Sequence, residues 1–162
     1  MIHTFRSLGE IPQFFSKIIS LDMIFHSACE DNWDLEEIGN KTYCFTNAGK
    51  STWANGIRLC QMYNSKLPLP KNSQEDADFY SYLNKINLLS SWLDGTDEDT
   101  EGIWLDSAGN NITFFNWRED QPDNSHGQEH FLHYRPGWGG KWNDHWGTNV
   151  EHIVCQKDPI GE

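Results

Sequence analysis

Oxygen-bearing side chains are concentrated near the end of the chain, in three short segments that the fold would have to bring together. The segments are Gln121-Pro122-Asp123, Glu129 and Trp142-Asn143-Asp144. A calcium ion takes about six to eight oxygen ligands from carboxylates, amide carbonyls, backbone carbonyls and water. A cis peptide bond before Pro122, which proline permits, would turn the side chains on both sides of it toward one ion. Three unrelated polar turns are the alternative. The pattern predicts a Ca²⁺ site whose ligands are Gln121, Asp123, Glu129, Asn143 and Asp144.

The composition indicates a folded protein and disfavours one class of partner. With 162 residues, of which 37% are hydrophobic and 14% aromatic, the chain can bury the core of one domain. The formal net charge is −12. This charge argues against nucleic acid as a partner, because nucleic-acid binding requires Lys and Arg to neutralise phosphates. An acidic net charge suits a protein that binds divalent cations, but solubility alone also explains it.

The cysteines indicate the cellular compartment. The four cysteines are Cys29, Cys44, Cys60 and Cys155, and none lies in a Cys-x-x-Cys pair or at zinc-finger spacing. An even number predicts two disulfides, for which three pairings are open. Disulfides imply an oxidising compartment and hence a secreted, extracellular protein. Two glycosylation sequons, Asn40-Lys41-Thr42 and Asn111-Ile112-Thr113, agree with secretion, although such triplets are common by chance.

Residues 1–28 are expected to lie outside the folded domain, as an N-terminal leader or an extension. Their apolar residues form a stretch from Ile11 to Phe25 that Lys17 and Asp22 interrupt. A signal peptide has an uninterrupted apolar run of about 7–15 residues, so this leader would be atypical. The stretch is too short and too polar to span a membrane, and no membrane span is expected. The domain itself is predicted at 29–157, followed by a C-terminal tail at 158–162.

Local patterns predict two helices, several strands and one long loop. The predicted elements are, in order, a hairpin at 33–45, a helix from Ser51 or Thr52 to Tyr63, a helix from Ser73 to Ile86, a strand at 88–93 and a strand at 152–155. The first helix carries an apolar stripe, and early acidic residues in the second favour the positive end of its dipole. Residues 94–141 are rich in Gly, Asn, Asp and Pro. A loop of that length in a compact domain is usually functional.

From about Cys29 to Gln156 the chain resembles the C-type lectin-like domain, a calcium-dependent carbohydrate-recognition module. The matches come in order along the chain: Cys29 and Cys44, Trp53-Ala54 and Cys60, Ser91-Trp92-Leu93-Asp94-Gly95, Gln121-Pro122-Asp123 with Glu129, Trp142-Asn143-Asp144, and Cys155. The resemblance implies an α+β C-type lectin-like fold, with two helices, small antiparallel sheets and a long calcium-binding loop. It also implies the disulfides Cys29–Cys44 and Cys60–Cys155.

The chain departs from the family pattern at a second core disulfide. The two positions that normally carry its cysteines are occupied by Phe131 and Gly147. Both partners are missing together, so no orphan thiol is expected. The site loop is therefore predicted to be more mobile than in other family members, or to rely on calcium for its order.

The resemblance also implies how a sugar is bound. Two neighbouring sugar hydroxyls coordinate the Ca²⁺ ion and form hydrogen bonds with Gln121, Asp123, Glu129 and Asn143. Within the family, Gln-Pro-Asp goes with galactose and N-acetylgalactosamine, whereas Glu-Pro-Asn goes with mannose-type sugars. Galactose-binding members tend to stack the sugar on an aromatic ring, often a tryptophan at the position of Ser125. Trp138 is the predicted replacement and Trp146 the second choice, unless Trp138 is a buried anchor of its loop.

A second Ca²⁺ site is predicted beside the first, with Asp97, Glu101 and Asn124 as ligands. The alternative is an acidic solvated loop. Two carboxylates usual in the family are replaced by Asn124 and His130, and fewer charged ligands weaken calcium affinity. The late histidines, among them His126, His133, His145 and His152, lie in no His-Glu-x-x-His helix, so surface or packing roles are favoured over zinc. Protonation of histidines near the calcium would make binding sensitive to mild acid.

The expected function is that of a secreted, calcium-dependent lectin for galactose-type glycans on cells or microbes, and not that of an enzyme. The sequence has no Gly-x-Ser-x-Gly elbow and no Cys/His pair in a recognisable context that would support a hydrolase. The alternative is a lectin-like domain that binds a protein, a lipid or a surface without sugar. One such site binds sugar weakly, so useful avidity needs several copies, as a homo-oligomer would supply.

Overall fold

The computed structural model describes Cys29, residues 33–38 and residues 41–160. The predicted leader or extension at 1–28 lies outside the described residues. The strands are β1 (Asp34–Ile38), β2 (Lys41–Ser51), β3 (Ser91–Thr96), β4 (Phe131–Arg135), β5 (Lys141–His145) and β6 (Glu151–Ile160). The helices are α1 (Trp53–Met62) and α2 (Ser73–Lys85). This combination confirms the predicted α+β class. All of these elements belong to one compact unit that begins at Trp33.

Two antiparallel sheets form the framework. The first has the strand order β1-β2-β6 and the second has the order β3-β4-β5. The predicted opening hairpin is present as β1 and β2, with Leu35 opposite Cys44. β6 is longer than the strand predicted at 152–155, because its pairing with β2 continues to the pair Thr42–Ile160. It therefore runs into the segment that was predicted as the tail.

Both predicted helices form, with different N-terminal caps. α1 follows Thr52, whose backbone is extended (φ −69°, ψ 160°) and whose side chain makes no capping hydrogen bond. α2 is capped by Asn72, whose Oδ1 accepts hydrogen bonds from the backbone N–H groups of Gln74 and Glu75, both at 3.0 Å. Such a side-chain cap typically stabilises a helix by about 1 kcal/mol. Neither helix has the length and the apolar character that crossing a bilayer requires.

β3 divides the core into two clusters. Its neighbouring side chains Trp92 and Leu93 are both fully buried, and they point to opposite faces as strand geometry requires. Trp92 packs with Cys60 and Ile153, whereas Leu93 packs in the larger cluster around Trp142. The strand begins at Ser91 rather than at the predicted residue 88, because pairing with β4 begins there.

The disulfide Cys60–Cys155 joins α1 to β6 across 95 residues of sequence, as the resemblance implies. Both half-cystines are fully buried. In the loop-entropy model, closing a loop of this length destabilises the unfolded chain by about 4–5 kcal/mol. Cys29 and Cys44 are disulfide-bonded as well, so that no cysteine is free.

Gly95 lies where β3 approaches its neighbours most closely. A Cβ atom at this position would meet the Leu132 side chain and would lie 2.8 Å from Cδ1 of Ile112. Gly95→Ala should therefore overpack the core and lower the free energy of unfolding by about 1–3 kcal/mol, as measured by urea denaturation. Gly137→Ala is the matched control, because nothing lies within 4 Å of its Cβ position. The control should change stability by less than about 0.5 kcal/mol, and equal effects of the two substitutions would contradict this account.

Candidate functional site

β5, which supplies two of the predicted ligands, is anchored in the core through Trp142. The indole N–H of this fully buried residue donates a 2.7 Å hydrogen bond to Oδ1 of Asp76 in α2. Its backbone N–H donates to the carbonyl oxygen of Asn116 at 2.9 Å, and the N–H of Arg118 donates to the carbonyl oxygen of Trp142 at 3.0 Å. β5 therefore positions the segment that leads into the predicted site loop, as well as its own polar residues.

Three carboxylates predicted as ligands come together beside β5. One carboxylate oxygen each from Asp123, Glu129 and Asp144 lies within 4.8 Å of the others. Asp144 belongs to β5 and Glu129 lies just before β4. Asp123 follows Pro122, whose peptide bond with Gln121 is cis. Carboxylates this close together can hold a metal ion. This set of three is called the primary cluster below.

Asp144 ties the site loop to the sheet. Its carboxylate is buried and accepts hydrogen bonds from the backbone N–H groups of Asp123 at 3.2 Å and Asn124 at 2.7 Å. Burial raises the pKa of Asp144, and it outweighs these hydrogen bonds, which favour the ionised form. The protein therefore compensates the negative charge of Asp144 only in part.

Glu129 is affected by burial and by its acidic neighbours. Burial raises the pKa of Glu129, as do the charges of Asp144 and Asp123, while the nearby His145 lowers it. Nδ1 of His145 lies 3.4 Å from Oε1 of Glu129. Among the described residues, no lysine or arginine forms an ion pair with the primary cluster. A bound cation would relieve the repulsion that raises this pKa.

The two predicted amide ligands come from the segments that supply the primary cluster. Oε1 of Gln121 is buried and has no hydrogen-bond partner within the described residues. Leaving such an acceptor unsatisfied costs about 1–3 kcal/mol, which a metal ion or a bound ligand would offset. Asn143 is buried, and its amide N–H donates to the carbonyl oxygen of Asp144. Acidic and amide oxygens of this kind fit a cation that prefers oxygen donors.

Asn124 holds the segments of the site together. Its backbone is in the left-handed region (φ 41°), which asparagine adopts more readily than most residues. Its Oδ1 accepts a 3.1 Å hydrogen bond from the N–H of Glu129, and its amide N–H donates to Glu101. Asn124 was predicted as a ligand of a second ion. The structure engages its side chain in these hydrogen bonds, which link the primary cluster to a second acidic group.

That second group consists of Asp97, Glu101 and His130, which bring ligand atoms within 4.8 Å of one another. Asp97 is buried, and its Oδ2 accepts a 2.8 Å hydrogen bond from the N–H of Gly102. Nδ1 of His130 lies 3.2 Å from Oδ1 of Asp97 and 3.5 Å from Oε2 of Glu101. The imidazole of His130 thus faces both acids. It gives the carboxylates of this second cluster a partner within the protein.

Trp138 does not join the primary cluster, contrary to its predicted role as the sugar-stacking ring. It lies in the turn between β4 and β5, where the guanidinium groups of Arg118 and Arg135 stand 4.2 and 4.5 Å from its ring centroid. Arg135 pairs with Lys141 at the turn end of this hairpin, whereas Asp144 pairs with Leu132 near the other end. These contacts agree better with the alternative prediction, in which Trp138 anchors its own loop.

Trp146, the second choice, is placed near the primary cluster. It follows β5 just after Asp144 and His145, and 37% of its surface is exposed. Its ring meets the ring of His126 edge to face, with centroids 6.1 Å apart. His126 belongs to the short turn that separates Asp123 from Glu129. Trp146 and His126 therefore form an accessible aromatic pair beside the site loop.

Two histidines pack behind the site. His133 is buried, and its ring stacks on that of His145 with centroids 4.7 Å apart, while the tilted ring of Trp92 has its centroid 5.4 Å away. Carboxylate oxygens of Glu151 lie 3.8 Å from Nε2 of His133 and 3.7 Å from Nε2 of His145. Packing histidines were predicted here, but the partnership with Glu151 was not.

These groups predict how acid affects the fold. Burial lowers the pKa of His133 below its usual 6.5, and the neighbouring imidazoles of His133 and His145 lower the pKa of Glu151. In both cases the unfolded chain binds more protons, so these groups contribute stability that is lost as the pH falls. For His133 the loss sets in as the pH falls through 6.5. His145 acts in the opposite direction, because its pKa is raised.

We therefore expect His133→Gln to lose less stability than the wild type when the pH falls from 7 to 5, as measured by the thermal midpoint. Comparing slopes within each protein removes the general cost of the substitution. What differs is the contribution of His133 and the lowering of the Glu151 pKa that His133 causes, and the loss of each reduces the acid sensitivity. His126→Gln, whose side chain is exposed, should keep the wild-type slope. An unchanged slope in His133→Gln would contradict the assignment.

Comparison with known proteins places this arrangement in a family. The model of the lectin C-type domain matches residues 49–157. Asialoglycoprotein receptor 2 of Homo sapiens is 31% identical over 136 residues, which cover 81% of this chain and 41% of the receptor. Salivary C-type lectin 2 of Aedes albopictus is 26% identical over 153 residues, which cover 86% of this chain and 96% of that protein. The chain thus spans about two-fifths of the length of the receptors it matches.

Solved structures agree in fold. The C-type lectin CEL-I from Cucumaria echinata has a TM-score of 0.70 and 24% sequence identity, over 83% of this chain and 99% of its own. Herring type II antifreeze protein has a TM-score of 0.67 and 24% identity, over 82% of this chain and 100% of its own. These likenesses establish the fold alone. Together with the family match over 49–157, they show that this chain belongs to the C-type lectin domain family.

Proposed function

We propose that this domain is a calcium-dependent lectin that binds glycans ending in galactose or N-acetylgalactosamine. The observation that carries the proposal is the primary cluster, three carboxylates within 4.8 Å of one another with no lysine or arginine paired to them in the described residues. The unpartnered Oε1 of Gln121 adds an amide oxygen to this set. The protein compensates these negative charges and this acceptor only in part, as expected of groups that bind a cation.

Calcium fits this donor set better than other common cations. All of the proposed ligands offer oxygen, which suits a hard cation, and no thiolate is available in the site because every cysteine is oxidised. The ligands are Gln121, Asp123, Glu129, Asn143 and Asp144. When bound, the ion would supply open coordination positions to neighbouring sugar hydroxyls. The carboxylates would accept hydrogen bonds from those hydroxyls, and the amide N–H groups would donate to them.

Galactose-type specificity rests on two features of this chain. The first is the order of amide and acid in Gln121-Pro122-Asp123, which in related lectins goes with galactose and N-acetylgalactosamine. The second is the aromatic pair of Trp146 and His126 beside the loop. An exposed indole offers a flat surface to the apolar face of a pyranose ring. We therefore assign the stacking role to Trp146 in place of Trp138.

The setting of the domain is proposed from its chemistry. Two disulfides suit an oxidising, extracellular compartment. The partners would be galactose-type glycans on cells or microbes. Several copies of the domain, assembled as a homo-oligomer, would convert weak single-site binding into useful avidity.

A glycan array screened with calcium, and again with EDTA, tests the proposed function. We expect signals for galactose-terminated glycans that disappear with EDTA. Glu129→Gln should weaken calcium and sugar binding by at least about tenfold. Even residues that only form hydrogen bonds with a metal ligand contribute about that much to metal affinity, and Glu129 is a proposed ligand itself. Glu119→Gln, which changes an exposed acid outside the site, should bind like the wild type. Calcium-dependent mannose signals would overturn the specificity, and a complete lack of calcium-dependent signals would favour a protein, lipid or surface ligand.

The second cluster should be the weaker metal site. His130 already faces Asp97 and Glu101, and the Asn124 side chain is engaged between the clusters. Isothermal titration should therefore give one strong calcium site per chain. Glu101→Gln should leave the affinity of that site within about threefold, whereas Asp123→Gln should abolish it, because calcium affinity follows the number of charged ligands. Two strong sites in the wild type would contradict this ranking.

A further inference from the structure

A groove adjoins the proposed sugar site and shares the side chain of Trp146 with it. Its volume is about 530 Å³, within the range of about 300–1,000 Å³ that is usual for small-molecule sites. Gly127, Gln128 and His130 line it, and these residues lie directly on either side of the proposed ligand Glu129. Trp146 also lines it, while meeting His126 of the site loop. The groove and the primary cluster are thus bordered by the same two segments of chain.

The groove is built around the two positions where this chain lacks the cysteines of the family. The Phe131 ring packs against Gly147, so closely that a Cβ atom on Gly147 would lie 2.9 Å from Cζ of that ring. Phe131 also packs on Trp53, with ring centroids 4.9 Å apart. The backbone N–H of Trp53 donates to the carbonyl oxygen of Gly147 at 3.3 Å. Phe131, Trp53 and Gly147 therefore hold one another in place along the groove. A residue with a Cβ atom at position 147 would disrupt this packing.

The lining has the chemistry of a carbohydrate site. Three aromatic rings, those of Trp53, Phe131 and Trp146, provide flat apolar surfaces. Hydroxyl and amide groups of neighbouring polar residues, namely Thr52, Thr148 and Gln128, can donate and accept hydrogen bonds. Among the residues that the structure describes, no lysine or arginine lines the groove, and Glu98 contributes a negative charge, so an anionic ligand is disfavoured. The mixture of rings with hydroxyl and amide groups suits a pyranose ring better than a purely apolar chain.

We propose that this groove is a second subsite, which binds the neutral sugar residue that is linked to the terminal galactose-type residue. The inference rests on the proposed function, because the terminal residue has to be held at the primary cluster. Continuity through Trp146 and the 127–130 segment places the linked residue in the groove. The domain then selects a glycosidically extended glycan over a single sugar, by adding contacts that a monosaccharide does not reach.

The test compares a monosaccharide with a disaccharide on the same protein. Calcium-dependent binding of methyl β-galactoside and of N-acetyllactosamine is measured by isothermal titration. We expect N-acetyllactosamine to bind about three- to tenfold more tightly, the gain that one aromatic contact supplies. Ala54→Phe fills the groove from α1 and should remove this gain, while the affinity for methyl β-galactoside stays within about twofold.

Two controls keep the test decisive. Asn55→Phe places the same ring on the next exposed residue of α1, which does not line the groove, and should keep the gain. If Ala54→Phe does not fold, Thr148→Phe fills the groove from another side.

Equal binding of both sugars by the wild type would overturn the subsite and leave the proposed function intact. The same conclusion would follow if the higher affinity for N-acetyllactosamine persisted in the variant whose groove is filled. A similar gain for octyl β-galactoside without one for N-acetyllactosamine would show that the groove binds an alkyl chain and not a sugar. Loss of calcium-dependent binding to both sugars would overturn the proposed function, and the subsite with it.

Discussion

The hydrogen bond between the Trp142 indole and the Asp76 carboxylate is the contact on which the site depends. It joins α2 to β5 inside the core, where both groups are buried. Burial raises the pKa of Asp76, although its hydrogen bonds with Trp142 and Asn116 oppose that rise. A buried carboxylate is costly unless its partners satisfy it, and here the partners are the residues that fix β5 and the segment entering the site loop. The polar core thus determines where the ligands of the site are placed.

The primary cluster differs from Asp76 in its neighbours. Asp76 is hydrogen-bonded to the uncharged groups of Trp142 and Asn116, whereas Asp123, Glu129 and Asp144 lie beside one another, and these acidic neighbours help to raise the pKa of Glu129. In a chain of net charge −12, this cluster lowers the stability of the metal-free fold. A cation that binds only the folded form would stabilise it by mass action. Metal binding and the order of the loop are therefore expected to be coupled.

The architecture and the clustering of three of the proposed ligands could be predicted from the sequence, because these features depend on local patterns and ordered motifs. The helices follow from apolar periodicity, and the cluster of Asp123, Glu129 and Asp144 follows from motif order. The position of Trp138 could not be predicted in this way, because it depends on which end of the β4–β5 hairpin faces the loop. The bridging role of Asn124 and the partnership of Glu151 with two histidines arise from contacts between distant segments, which no local pattern reveals.

Phe131 packs on Gly147, at the positions where the family resemblance leads one to expect a second disulfide, and this arrangement has a consequence for redox chemistry. Every cysteine of the chain lies outside residues 61–154, so the sheet of β3, β4 and β5 and the loop it supports contain no sulfur–sulfur bond. A reducing agent would open Cys60–Cys155 between α1 and β6 and break no covalent bond near the ligands. A chelator would act on the ligands and leave that bridge in place. Thiol chemistry and metal chemistry therefore act on different groups of this domain, a reducing agent on the disulfides and a chelator on the proposed ligands.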